Sequence, residues 1–176
     1  IHKEYIGAGA QAIKTNTFAV NRVNMQGDEE LSEKLITAGY EIAKLSAGED
    51  AFVLCDIGPV QQIGENTALE DEYIWVADRF LSLSADAFIF ETLENYKAPQ
   101  KAAAYIKKKN PDAFIILSFA VMADGFTRDG VFASDIIDAL RGDNNVDACG
   151  FNCTCSPGHM LSLLKDTDLS GITLFA

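Results

Sequence analysis

The chain has 176 residues and is 48% hydrophobic, 10% aromatic and 23% charged, a balance that supports one domain (1–176) with a buried core and excludes a disordered polymer. Its 14 Lys and Arg against 26 Asp and Glu give a net charge of −12, which argues against a nucleic-acid surface, because phosphate neutralisation needs clustered cations. No apolar run approaches the ~20 residues that span a bilayer, so no membrane partner is expected either.

In chain order, the tail of a helix around Ile1–Ala8 is followed by a β-rich run, Ala12–Phe18. Asp28-Glu29-Glu30 then places carboxylates in the first turn of a helix whose predicted apolar stripe is Leu31, Leu35, Ala38, Ile42 and Leu45. The next strand is Ala51–Ile57, and the next helical stripe is Leu69, Tyr73, Val76, Phe80 and Leu83. Strand Ala87–Thr92 leads to a helix ending in Lys107-Lys108-Lys109, where cations suit the helix dipole and Pro111 stops further winding. Strand Ala113–Phe119 precedes a short helix carrying Ile136, Ile137 and Leu140, with Ser134 as its expected N-cap. Two further strands, Val146–Cys153 and Gly171–Phe175, complete the series.

The strands are apolar almost throughout, as parallel strands covered on both faces are, and their alternation with helices predicts an α/β fold. An eight-unit barrel uses roughly 31 residues per unit, so six units need about 186. The first strand turns at Thr15-Asn16-Thr17-Phe18 without a G-x-G-x-x-G, which disfavours a dinucleotide-binding sheet. The expectation is a (β/α)8 TIM barrel in part, covering the second to seventh strands and truncated at both ends.

Barrel chemistry sits at the C-terminal strand ends. There the chain carries Asn16, Asp56, Glu91-Thr92, Ser118 to Met122, and Gly150 to Cys155. Glu91 reads either as a carboxylate for a substrate ammonium or as a cap on the following helix. Asp56 reads either as a ligand-facing acid or as turn chemistry in Asp56-Ile57-Gly58-Pro59, and Asn16 either as a site amide or as a turn partner.

Four cysteines are unevenly placed: Cys55 alone, and Cys149, Cys153 and Cys155 together, a pattern that fits a reducing, cytoplasmic compartment better than a disulfide framework. Strand alternation would put Cys149, Phe151, Cys153 and Cys155 on one face, with His159 as a fourth donor. Four strand residues span about 13 Å, however, so one metal cannot hold both Cys149 and Cys153 on a straight strand. Cys153 at the strand tip is the better ligand. Cys55 and Cys149 read as buried thiols.

Gly150-Phe151-Asn152-Cys153-Thr154-Cys155-Ser156-Pro157 resembles the homocysteine S-methyltransferase family, which carries a G-[VIF]-N-C segment on a barrel strand and then a Gly-Pro, here Ser156-Pro157. Ala8-Gly9-Ala10-Gln11-Ala12-Ile13-Lys14-Thr15-Asn16-Thr17-Phe18 is similar to that family's A-G-A-D-x-I-x-T-N-T-F, with Gln11 in place of Asp; Asp56-Ile57-Gly58-Pro59 and Phe90-Glu91-Thr92 match two further segments, in order. The resemblance implies a (β/α)8 barrel that makes methionine by methyl transfer to homocysteine. It implies Zn2+ held by three cysteines, Cys153 being one, and substrate contacts from Glu91, Asn16, Asp56 and Thr92, with Asn152 in support. It implies a methyl donor drawn from methylcobalamin, a folate, S-methylmethionine or betaine, with cobalamin or folate carried by other domains, as in cobalamin-dependent methionine synthase. The family's other two zinc cysteines lie in a G-G-C-C segment that residues 1–176 do not contain, so this chain alone is expected to be inactive. The competing expectation is a non-catalytic metal-binding or assembly module built on Cys153, Cys155 and His159.

Overall fold

The computed structural model describes residues 1–61, 68–165 and 167–175. A short α1 (His2–Gly7) leads into β1 (Ala12–Lys14), α2 (Glu29–Ala47), β2 (Phe52–Ile57) and α3 (Leu69–Ser82). Then follow β3 (Ala87–Leu93), α4 (Lys97–Lys109), β4 (Phe114–Phe119), α5 (Ala133–Leu140), β5 (Ala148–Phe151), α6 (Pro157–Leu164) and β6 (Leu174–Phe175). The strands form one sheet in the order β1-β2-β3-β4-β5-β6, and every neighbouring pair is parallel. Sequential parallel strands joined by helices make an arc of a (β/α)8 barrel, incomplete as expected.

Alternation divides each strand between two layers. Ile13, Val53, Cys55, Phe88, Phe90, Ile115, Leu117, Cys149 and Phe151 face the helices and share one core with Ile36, Val76, Phe80, Ile106 and Ile136. Removing a fully buried ring such as Phe88 from that core costs about 3–5 kcal/mol. On the opposite, concave side, Leu54, Ile89, Ile116 and Ala148 form a separate small apolar layer. Polar groups sit one step further along the strands, at their C-terminal ends.

The helix starts follow local chemistry. Asp28 caps α2 by accepting from the Leu31 N–H at 2.9 Å, and Ser156 caps α6 with Pro157 at its first position. The expected cap Ser134 instead lies inside α5, whose N-cap is Phe132. Phe132 is held by an antiparallel bridge to Phe126 and by their rings, 4.8 Å apart, so the loop sets where the helix begins.

Two further expectations are corrected. The first strand stops at Lys14, because Asn16 takes a left-handed backbone (φ 58°) and the chain curls away. The predicted stripe of α2 is also not its buried face: Leu31, Leu35, Ile42 and Leu45 are exposed, Leu45 at 82%, while Ser32, Ile36, Tyr40, Ala43 and Ala47 are buried. The face the helix buries mixes Ile36 and Tyr40 with small residues, and Gly39 brings it close to the Thr15 carbonyl. The stripes of α3 and α5 lie as expected, with Tyr73, Val76, Phe80, Ile136, Ile137 and Leu140 buried.

Candidate active site

The tip of β1 is built to hold the backbone of β2. The Asp56 N–H donates to Thr15 Oγ1 at 3.0 Å, and Thr17 Oγ1 donates to the Asp56 carbonyl at 2.7 Å. The single Thr17 hydrogen is thereby used, so in the 2.6 Å contact between the two hydroxyls Thr15 is the donor. Both threonines are buried, and Asn16 between them projects into a cleft. Glycine is required at position 58: a Cβ there would lie 2.3 Å from the Phe18 carbonyl, which accepts the Gly58 N–H at 3.0 Å. The turn chemistry read in Asp56-Ile57-Gly58-Pro59 thus belongs to Gly58, and the Asp56 side chain is free to face inward.

That cleft, about 990 Å³, lies along the open edge of β1, where residues of α1 and α2 line it together with Lys14, Asn16, Phe18, Asp56 and Glu91. Lys14 Nζ lies 2.6 Å from Glu91 Oε1 and 3.8 Å from Asp56 Oδ2. The contact joins β1 to β3 across β2, so these side chains converge on the concave side of the sheet. Asp56 is 3% exposed, and its Oδ1 has no hydrogen-bond donor among the described residues. Burial, reinforced by the Glu91 charge and only partly offset by Lys14, pushes the Asp56 carboxyl up to about 7. Burial works to lower the Lys14 ammonium, but its hydrogen bond to Glu91 and the charges of Asp56 and Glu91 outweigh that and raise it.

A second polar group lies beside the first. Asn152 Oδ1 accepts from the Thr92 N–H at 3.0 Å and from Ser118 Oγ at 2.8 Å. A backbone N–H can only donate, so the amide orientation is fixed and Asn152 Nδ2 donates to Thr92 Oγ1 at 2.8 Å. Thr92 Oγ1 then donates towards Cys153 Sγ at 3.8 Å, and Asn152 Nδ2 stands 3.6 Å from the same sulfur. These contacts join β3 to β5 across β4. The two groups meet at consecutive residues of β3, where Glu91 reaches β1 and Thr92 reaches β5.

Backbone strain collects at these same tips. Asn16, Thr92 and Cys153 all have left-handed φ, at 58°, 60° and 62°. Thr92 lies in a register shift of β3 between Phe90 and Leu93, and a β-branched residue there is uncommon. At Cys153 the left-handed turn breaks the alternation: Cys149 is buried on the helix side, whereas Cys153 is exposed beside Asn152 and Thr92. The shared face expected for Cys149, Cys153 and Cys155 therefore does not form. Burial pushes the Cys149 thiol up to about 12 and Cys55 well above its usual range, as inert core thiols.

Every sequence-predicted site residue thus falls in one of the two groups. Asn16, Asp56 and Glu91 border the charged cleft, and Thr92 and Asn152 surround Cys153. Sequence reasoning missed Lys14 and gave Ser118 no role. For Ser118 the available signal was a polar residue near the end of an otherwise apolar strand; for Lys14, in a three-residue strand, the sequence offers none. Among the described residues no three or more His, Cys, Asp or Glu side chains are grouped to hold a metal, so Cys153, Cys155 and His159 do not form a local site. His159 Nδ1 instead lies 2.9 Å from Ser156 Oγ. Among the described residues no helix is long and apolar enough to cross a membrane.

The structure is thus a parallel barrel arc whose strand tips carry an exposed thiol beside a cluster of two acids and a lysine. The homocysteine S-methyltransferase family model matches residues 1–175, and the chain belongs to that family. The methionine synthases of Mycobacterium tuberculosis and Mycobacterium leprae are each 29% identical to it over 182 residues, covering 94% of this chain. The chain spans about 15% of their length. Among solved structures, the metallated form of the homocysteine methyltransferase MmuM from Escherichia coli superposes with a TM-score of 0.76 at 21% identity, covering 99% of this chain and 69% of that one. A DHDPS from Cyanidioschyzon merolae with lysine bound shares the fold at a TM-score of 0.58 and 15% identity, covering 99% and 54%.

Proposed function

We propose that the protein transfers a methyl group to the sulfur of homocysteine, giving methionine, with zinc as its metal and Cys153 as one ligand. Membership of the family supports the reaction. The observation that carries the residue roles is the junction on β3, where a carboxylate facing the charged cleft is followed at once by a side chain touching the Cys153 sulfur. An amino acid whose ammonium sits at Glu91 and Asp56 would direct a short thiol side chain towards Cys153.

Bound zinc would lower the pKa of a coordinated thiol, so that the thiolate is present near neutrality. The thiol proton leaves to solvent, the sulfur–methyl bond forms, and the bond from methyl to its donor breaks. Residues of this chain do the positioning. Glu91 and Asp56 hold the ammonium, while Asn16 and Thr92 border the substrate. Asn152, locked by Ser118 and Thr92, keeps the Cys153 sulfur in place. The four free thiols suit a reducing cytoplasmic setting.

The test is Cys153→Ser in the intact protein, read as bound zinc. Zinc affinity is expected to fall by more than about 100-fold, beyond the 10- to 100-fold typical of losing an outer-sphere partner. Unchanged zinc content would remove Cys153 from the ligand set.

A further inference from the structure

The acids of the charged cleft can account for a substrate ammonium, but Lys14 has no part in that role. We propose that Lys14 reads the carboxylate of the substrate, so that Lys14, Asp56 and Glu91 together recognise a complete α-amino acid zwitterion. The inference rests on the homocysteine reading above and assigns the residue that makes the site specific for an amino acid rather than an amine.

Three observations carry it. First, the Asp56 carboxylate is buried at 3% exposure with an Oδ1 that no donor reaches, beside a cleft of about 990 Å³. A buried acceptor without a donor is costly, and an incoming ammonium supplies the missing hydrogen bond. Second, the charges are unequal: two carboxylates face one lysine, so a second cation completes the cluster without displacing the first. Third, Lys14 is anchored and yet open. One of its three N–H donors is committed to Glu91 Oε1 at 2.6 Å, which leaves two for a ligand. Lys14 can therefore donate to a substrate carboxylate and keep its bond to Glu91. The ammonium and carboxylate of an α-amino acid share one carbon, so a ligand bridging Asp56 Oδ1 and Lys14 Nζ has its side chain as the remaining free direction. Glu91-Thr92 leads from this cluster to Cys153.

The experiment compares binding of L-homocysteine and of 3-aminopropane-1-thiol, which keeps the amine and thiol but lacks the carboxylate. Both are titrated calorimetrically into the intact wild-type protein, Lys14→Met and Lys14→Arg, with thermal melts confirming folding. Wild type should prefer L-homocysteine by more than tenfold. Lys14→Met should weaken L-homocysteine by roughly 10- to 100-fold, the range for a lost hydrogen bond to a charged group, and change the amine less than about threefold. Lys14→Arg should keep most of the preference. If Lys14→Met does not fold, Lys14→Gln carries the same expectation. Equal weakening of both ligands would mean that Lys14 only steadies the acids, and would overturn the proposal. So would unchanged binding of L-homocysteine. In either case wild-type binding of L-homocysteine leaves the homocysteine reading standing; failure of wild type to bind either ligand overturns both.

Discussion

Asp56 is a buried acid whose ionisation works against folding. Its carboxyl is raised from 3.8 to about 7 in the folded chain, by burial first and by Glu91 second, with Lys14 opposing. The folded state therefore keeps a proton that the unfolded state gives up above pH ~4. Stability must fall as pH rises from about 4 to 7 and level off above, by about 4 kcal/mol at most. Asp56→Asn removes this dependence. In urea unfolding, wild type is expected to lose a few kcal/mol relative to the variant between pH 4.5 and 7.5; a difference independent of pH would contradict the burial of an ionisable Asp56. The sequence left Asp56 between turn and ligand because both roles occupy one motif. The structure separates them, with Gly58 making the close approach to Phe18 and Asp56 facing the cleft. Lys14 was not legible for a related reason. A lysine in a three-residue strand reads as solvated, and only the curvature of the sheet shows that its side is the concave one.

At the scale of the element, α2 supports the site from behind. A Cβ on Gly39 would lie 2.6 Å from Thr17 Cγ2 and 2.8 Å from the Thr15 carbonyl, the two residues that hold the Asp56 backbone. Gly39→Ala raises helix propensity by about 1 kcal/mol, yet it must push against a backbone carbonyl. The second effect should win, with a net loss of roughly 1–3 kcal/mol and a Tm several degrees lower in a thermal melt. A stabilised Gly39→Ala would show that helix and strand tip are not in this contact. The existence and order of the helices and strands were legible, because period and breakers are local properties. The buried face of α2 was not. Leu31, Leu35, Ile42 and Leu45 look like a core stripe, but contact with Thr15 and Thr17 selects the face that lets backbone approach backbone. The end of β1 is not legible for the same kind of reason, since Asn16 leaves the strand in a left-handed turn that no local pattern marks.

At the scale of the molecule, six parallel strands in sequential order bring distant tips together, and the arc decides what this chain can hold by itself. The charged cluster is assembled within residues 1–176: Lys14, Asp56 and Glu91 come from three neighbouring strands. The sulfur group is different. Its oriented amide and hydroxyl, Asn152 and Thr92, are present, but they surround one thiol. A tetrahedral zinc site needs four ligands, and the described residues bring no three metal-binding side chains together. Residues 1–176 alone are therefore expected to take up well under one equivalent of zinc in equilibrium dialysis at about micromolar free metal, and Cys153→Ser should change that little. The same dialysis with the intact protein should reach one equivalent and lose it with Cys153→Ser. Stoichiometric, tight zinc on residues 1–176 would require Cys153, Cys155 and His159 to regroup, against the present bonding of His159 to Ser156. It would move the metal off the barrel rim and separate it from the cleft that holds the charges.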